Sequence, residues 1–111
     1  MGRVGTATAA AAAALGALLL TAPSASAKPA VHTVVIQQMK FGPAPTGVRA
    51  GDTIVWANKD MFRHTATARD KSFDVDLPAG ATGRTVVGKA GTITFYCRFH
   101  PAMTGRVVVA K

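Results

Sequence analysis

The chain's only cysteine, Cys97, closes the alternating run Thr92-Ile93-Thr94-Phe95-Tyr96-Cys97, and this ending constrains the fold more than any other stretch. A period of two puts Ile93, Phe95 and Cys97 on one face of a strand, and so apolar a face is expected to look into a core. The strand therefore delivers a thiol inward. Beyond it, Arg98-Phe99-His100-Pro101-Ala102-Met103 brings an imidazole and a thioether at successive intervals of three. A tight loop can turn His100 and Met103 back onto the point where the strand ends. One short loop cannot surround an ion, so a fourth donor has to arrive from a distant segment, and His64 is the candidate.

The donor types point to a particular chemistry. A thiolate, two imidazoles and a thioether are soft and borderline ligands, the set of a trigonal copper centre with a weak axial Met. Such a set is a compromise between the preferences of Cu(I) and Cu(II), so little rearranges when an electron arrives or leaves. A buried inert thiol, or a cysteine awaiting an intermolecular disulfide, would leave the spacing of His100 and Met103 unexplained. The acidic residues are all Asp and number five, with no Glu anywhere, which argues against metal-assisted hydrolysis, a chemistry that wants a tunable carboxylate beside the metal. A copper oxidase or reductase would need a second copper site, and His32, the one histidine left over, cannot build it. We expect no enzyme. The alternative from another class is an extracytoplasmic protein that binds and passes on copper without redox turnover, but such proteins present open, Met-rich or His-rich sites rather than a closed cage.

Residues 1–27 read as a secretory signal peptide: Arg3, an Ala/Leu-rich run, and a small-x-small end at Ala25-Ser26-Ala27, with cleavage expected after Ala27. The apolar stretch from Ala9 to Leu20 is short against the roughly 20 residues of a membrane span, so no stable membrane insertion is expected after cleavage. The product would be exported to a periplasmic or extracellular space. Residues 28–111 then form one domain, large enough for a modest core. Within it, β-branched or alternating runs at 31–37, 53–57, 65–68, 73–77, 84–87, 92–97 and 105–109 are separated by Gly/Pro turns such as Ala50-Gly51-Asp52 and Pro78-Ala79-Gly80. No segment has helical period or length. The expectation is an all-β, antiparallel sandwich of about seven to eight short strands, with Phe41 capping the core and Met39 inside it. His32 reads as an ordinary strand histidine, and Met61 as a poorer axial candidate than Met103.

The segments Trp56-Ala57-Asn58-Lys59-Asp60-Met61-Phe62-Arg63-His64-Thr65 and Tyr96-Cys97-Arg98-Phe99-His100-Pro101-Ala102-Met103-Thr104-Gly105 resemble the two copper-ligand segments of the cupredoxins, the small blue copper proteins. The short Cys-x-x-His-x-x-Met loop with Pro after the His is similar to the amicyanin type, whereas plastocyanins and azurins have longer loops. The resemblance implies Greek-key strand order, one copper ion, His64, Cys97 and His100 as equatorial ligands, and Met103 as the axial one. It implies single-electron transfer between redox partner proteins through the exposed edge of His100. One residue departs from the pattern: Thr65 stands where the familiar carriers have an Asn that braces the two ligand segments. Without Arg3 the formal charge falls from +8 to +7. The cations are scattered without aromatic interleaving, which argues against nucleic acid. An acidic docking surface on the partner is expected instead, with Arg63 and Arg98 near the rim, and the protein is expected to be monomeric.

Overall fold

A computed structural model describes residues 28–111, so the expected signal peptide lies outside the described residues. Among the described residues nine strands follow in order: β1 (Val31–Gln37), β2 (Lys40–Phe41), β3 (Val48–Arg49), β4 (Thr53–Asn58), β5 (His64–Ala68), β6 (Asp74–Leu77), β7 (Thr82–Val86), β8 (Gly91–Tyr96) and β9 (Thr104–Ala110). They form two sheets, ordered β2-β1-β4-β7 and β3-β9-β8-β5-β6. Among the described residues no helix is long and apolar enough to cross a membrane.

Alternation writes the sandwich. Val34 and Ile36 of β1 and Ile54 and Trp56 of β4 face Ala66, Leu77, Ile93, Phe95, Val107 and Val109 of the other sheet, all of them buried. At the centre Phe95 stands edge-on to Trp56, with ring centroids 5.0 Å apart, and to Phe41 at 4.9 Å. The Trp56 indole N–H donates to Thr85 Oγ1 at 3.3 Å, so the largest buried ring leaves no orphan donor. Phe41 caps this cluster as the sequence implies.

Three details differ from the sequence reading. Two of the nine strands, β2 and β3, have two residues each, too short to leave a periodic trace. The pairing is not wholly antiparallel: β1 runs parallel to β4, and β3 parallel to β9. Between β1 and β4 the chain crosses to the second sheet to lay down β3, then returns travelling the way it left. Met39, expected in the core, is instead 36% exposed. It sits at the turn between β1 and β2 with φ of 60° beside Gln38 at 55°, a left-handed pair that reverses the chain at the surface and leaves the side chain outside.

Candidate metal centre

The site sits at one end of the sandwich, where β8 stops. Ile93, Phe95 and Cys97 are 8%, 2% and 0% exposed, so the alternation carries the thiol fully inward. Two successive turns then shape the loop. His100 N donates to Cys97 O at 3.3 Å, and Met103 N donates to His100 O at 2.8 Å. Pro101 occupies the second position of that latter turn, where its fixed φ is favourable and its missing N–H costs nothing. Cys97 N finally donates to Met103 O at 3.1 Å, closing the loop on itself as β9 begins. Met103 is thereby brought back beside the strand end and is buried.

His64, the first residue of β5, is fully buried. Its Nδ1 lies 3.7 Å from Cys97 Sγ, and His100 Nδ1 lies 3.7 Å from the same sulfur. The donor atoms of His64, Cys97 and His100 all fall within 4.8 Å of one another. A sulfur at about 2.3 Å and a nitrogen at 2.0–2.1 Å from one ion, the lengths typical of a late first-row metal, stand roughly 3.8 Å apart at a trigonal angle. Both sulfur-to-nitrogen distances therefore match those around a single ion.

The supporting groups fix these donors. His64 Nε2 bonds Asp60 Oδ2 at 2.8 Å, which assigns the proton to Nε2 and leaves the Nδ1 lone pair facing the sulfur. Asp60 also accepts from the amides of Gln38 and Met39, at 2.7 and 3.0 Å. Burial pushes its carboxyl up, but the bonds from Met39, His64 and Gln38 outweigh that effect and hold it below the ordinary range. Asn58 ties the loop before His64 in place, donating to Phe62 O at 2.8 Å and Leu77 O at 3.0 Å while its own Oδ1 accepts from Asp60 N at 2.9 Å. The Thr65 amide donates to Cys97 Sγ at 3.4 Å, and Thr65 Oγ1 accepts from the Arg98 amide at 2.9 Å. The hydroxyl thus joins the two ligand segments where the resemblance leads one to expect an Asn.

The sequence reading assigned Asp60 and Asn58 no part in the site. The signal was a carboxylate four residues before His64, but in a turn that spacing fixes no direction. Arg63 and Arg98, expected near the rim, are each paired, Arg63 with Asp76 and Arg98 with Asp74. Both guanidinium groups also lie over the Phe99 ring, at 5.7 and 5.5 Å from its centroid. Met61 is 81% exposed, outside the buried donor cluster. His32 bonds Asp52 Oδ2 at 2.8 Å, the strand role expected for it. Beside His100, an open groove of about 710 Å³ is lined by Met39, Phe41, Phe99, Pro101 and Met103 among others.

The Cupredoxin-like domain family matches residues 9–109. The chain is 29% identical over 104 residues to amicyanin of Paracoccus denitrificans, covering 78% of this chain and 72% of the relative. It is 31% identical over 82 residues to amicyanin-alpha of Methylorubrum extorquens, covering 68% and 69%. Among solved structures, the Cu(I) form of an amicyanin variant superposes with a TM-score of 0.61 at 28% identity, covering 76% of this chain and 85% of that one. A purple cupredoxin of Nitrosopumilus maritimus superposes at 0.63 with 22% identity over 71% of this chain and 99% of that one, which speaks for the fold alone. The chain belongs to the cupredoxin-like domain family.

Proposed function

We propose that this protein binds one copper ion through His64, Cys97, His100 and Met103 and carries single electrons between redox partner proteins, without being an enzyme. The observation that carries this reading is the convergence of a thiol and two imidazole nitrogens, within 4.8 Å of one another, at a largely buried point. Bound there, copper would supply one-electron chemistry between Cu(I) and Cu(II). The chain's own residues do the rest. Asp60 holds His64 in the tautomer that offers Nδ1, and the Thr65 amide steadies the Cys97 sulfur. The two turns of the ligand loop keep His100 and Met103 in place through backbone hydrogen bonds. A cage fixed from so many sides has little freedom to rearrange, which is what rapid electron transfer requires.

Electrons are proposed to pass through the His100 edge. His100 is only half-buried, whereas His64 is enclosed, and the groove beside His100 offers Phe99, 49% exposed, with Pro101 and Met39. A small apolar collar of this kind suits brief contacts with a redox partner. The formal charge of +7 on residues 28–111 would draw an acidic partner from a distance. The amicyanin relatives and residues 1–27 support export to a periplasmic or extracellular space, with cleavage after Ala27 and a monomeric product. Mass spectrometry of the secreted protein should find Lys28 at the N-terminus, and an intact residue 1 would overturn the export reading. The functional test is redox cycling: copper-loaded protein should bleach with a mild reductant and recover fully on reoxidation, through repeated cycles without loss of metal. Release of copper on the first reduction would contradict electron carriage.

A further inference from the structure

Thr65 and Thr67 occupy the face of β5 opposite Ala66, yet they are only 0% and 8% exposed. Their hydroxyls are linked in one direction. The Asp74 carboxyl, held below its ordinary range by bonds from Thr67 and Arg98, can only accept. Thr67 therefore donates to Asp74 Oδ1 at 2.7 Å. Its proton so used, Thr67 must accept from the Thr65 hydroxyl at 2.8 Å. Thr65 in turn accepts from the Arg98 amide, and Arg98 Nε donates to Asp74 Oδ1 at 3.0 Å. The ring begins and ends on Arg98, the residue after Cys97. It is anchored in the sheet, since Thr67 and Asp74 are register partners of β5 and β6.

We propose that the ring of Thr65, Thr67, Asp74 and Arg98 is a positioning device that sets the reduction potential of the metal centre by pinning the Thr65 amide against Cys97 Sγ. The inference rests on the copper reading above. An N–H donating to the thiolate withdraws electron density from sulfur, which disfavours Cu(II) and raises the potential. Cutting the ring frees Thr65 to drift, weakens the bond that now spans 3.4 Å, and lowers the potential.

Thr67→Val keeps the side-chain shape and deletes the linking hydroxyl. In the copper-loaded protein we expect the preference for Cu(I) over Cu(II) to fall roughly tenfold, a potential lower by about 59 mV for one electron. The thiolate-to-copper absorption should shift, and Thr67→Ser should restore both. In the metal-free protein the Arg98 amide should exchange its hydrogen about tenfold faster in Thr67→Val, while the Val107 amide of β9 keeps its rate. Asp74→Ala cuts the ring at its exposed end, where folding is not at risk. Loss of a negative charge alone would raise the potential, so Asp74→Ala should lie below Asp76→Ala, which removes the same charge from the same strand. Parental potential, absorption and Arg98 exchange in Thr67→Val, with Asp74→Ala equal to Asp76→Ala, would overturn the proposal while leaving a copper-binding parent intact. A parent protein that forms no thiolate-copper absorption at all would remove both the proposal and the reading beneath it.

Discussion

Cys97 and Met103 should have separable roles at the level of single side chains. The intense colour of a thiolate-copper centre arises from charge transfer out of the sulfur, so Cys97→Ala should abolish it even where an ion still binds. Met103→Leu should keep the colour and raise the reduction potential, because losing a weak axial donor disfavours Cu(II) more than Cu(I). Optical spectroscopy and voltammetry of the two variants check this; a blue Cys97→Ala protein would sink the ligand assignment. Three of the proposed donors are legible in the sequence because chemistry and spacing coincide in one loop. His64 was legible only through the need for a donor from outside that loop. Asp60 and the Thr65–Asp74 linkage were not, since their partners are joined by the turn between β1 and β2 and by the β5–β6 register, which no local period encodes.

The strands that carry the site make two predictions. Gly105, the second residue of β9, lies directly opposite Phe95, and a Cβ there would come within 2.6 Å of the Phe95 ring. Gly105→Ala should therefore cost about 1–3 kcal/mol through overpacking, seen as a lower denaturation midpoint. An unchanged midpoint would mean that the ring can move aside. Asp52 clamps the start of β1 to the turn before β4. Bonds from the Ala30 amide, the His32 ring and the Arg49 amide bring its carboxyl down to about 2, from 3.8. A folded-state value below the unfolded one stabilises at pH above about 4, and the contribution is lost as pH falls toward 2. Asp52→Asn should lower the urea midpoint at neutral pH and flatten its fall between about pH 4 and pH 2; an acid limb as steep as the parent's would refute the clamp. At this scale the sequence showed the long strands and both Gly turns, whose alternation and punctuation are local. The parallel pairing of β1 with β4 and the outward Met39 escaped it, because each depends on where the chain travels between elements.

Across the whole molecule, attraction and contact should respond differently to salt. With Arg63 and Arg98 already paired to Asp76 and Asp74, the proposed pull on an acidic partner would come from the overall excess of cations, and it should weaken as ionic strength shortens the Debye length to about 8 Å near 0.15 M. Phe99→Ala leaves that charge untouched and trims the collar beside His100. It should slow transfer to the partner by a similar factor at low and high salt, measured by stopped-flow absorbance. Parental rates at every salt concentration would move the exit away from this face. The sandwich itself followed from the sequence, since strands ending in a buried Cys97 and turning on Gly and Pro leave few other all-β solutions. Whether folding of this sandwich assembles a thiolate-copper cage is decided by adding Cu(II) to the metal-free protein and following visible absorption. An intense orange-red band should grow in, saturate at about one equivalent of copper and be missing in Cys97→Ala. Saturation without that band, or a band of equal strength in Cys97→Ala, would contradict such a cage.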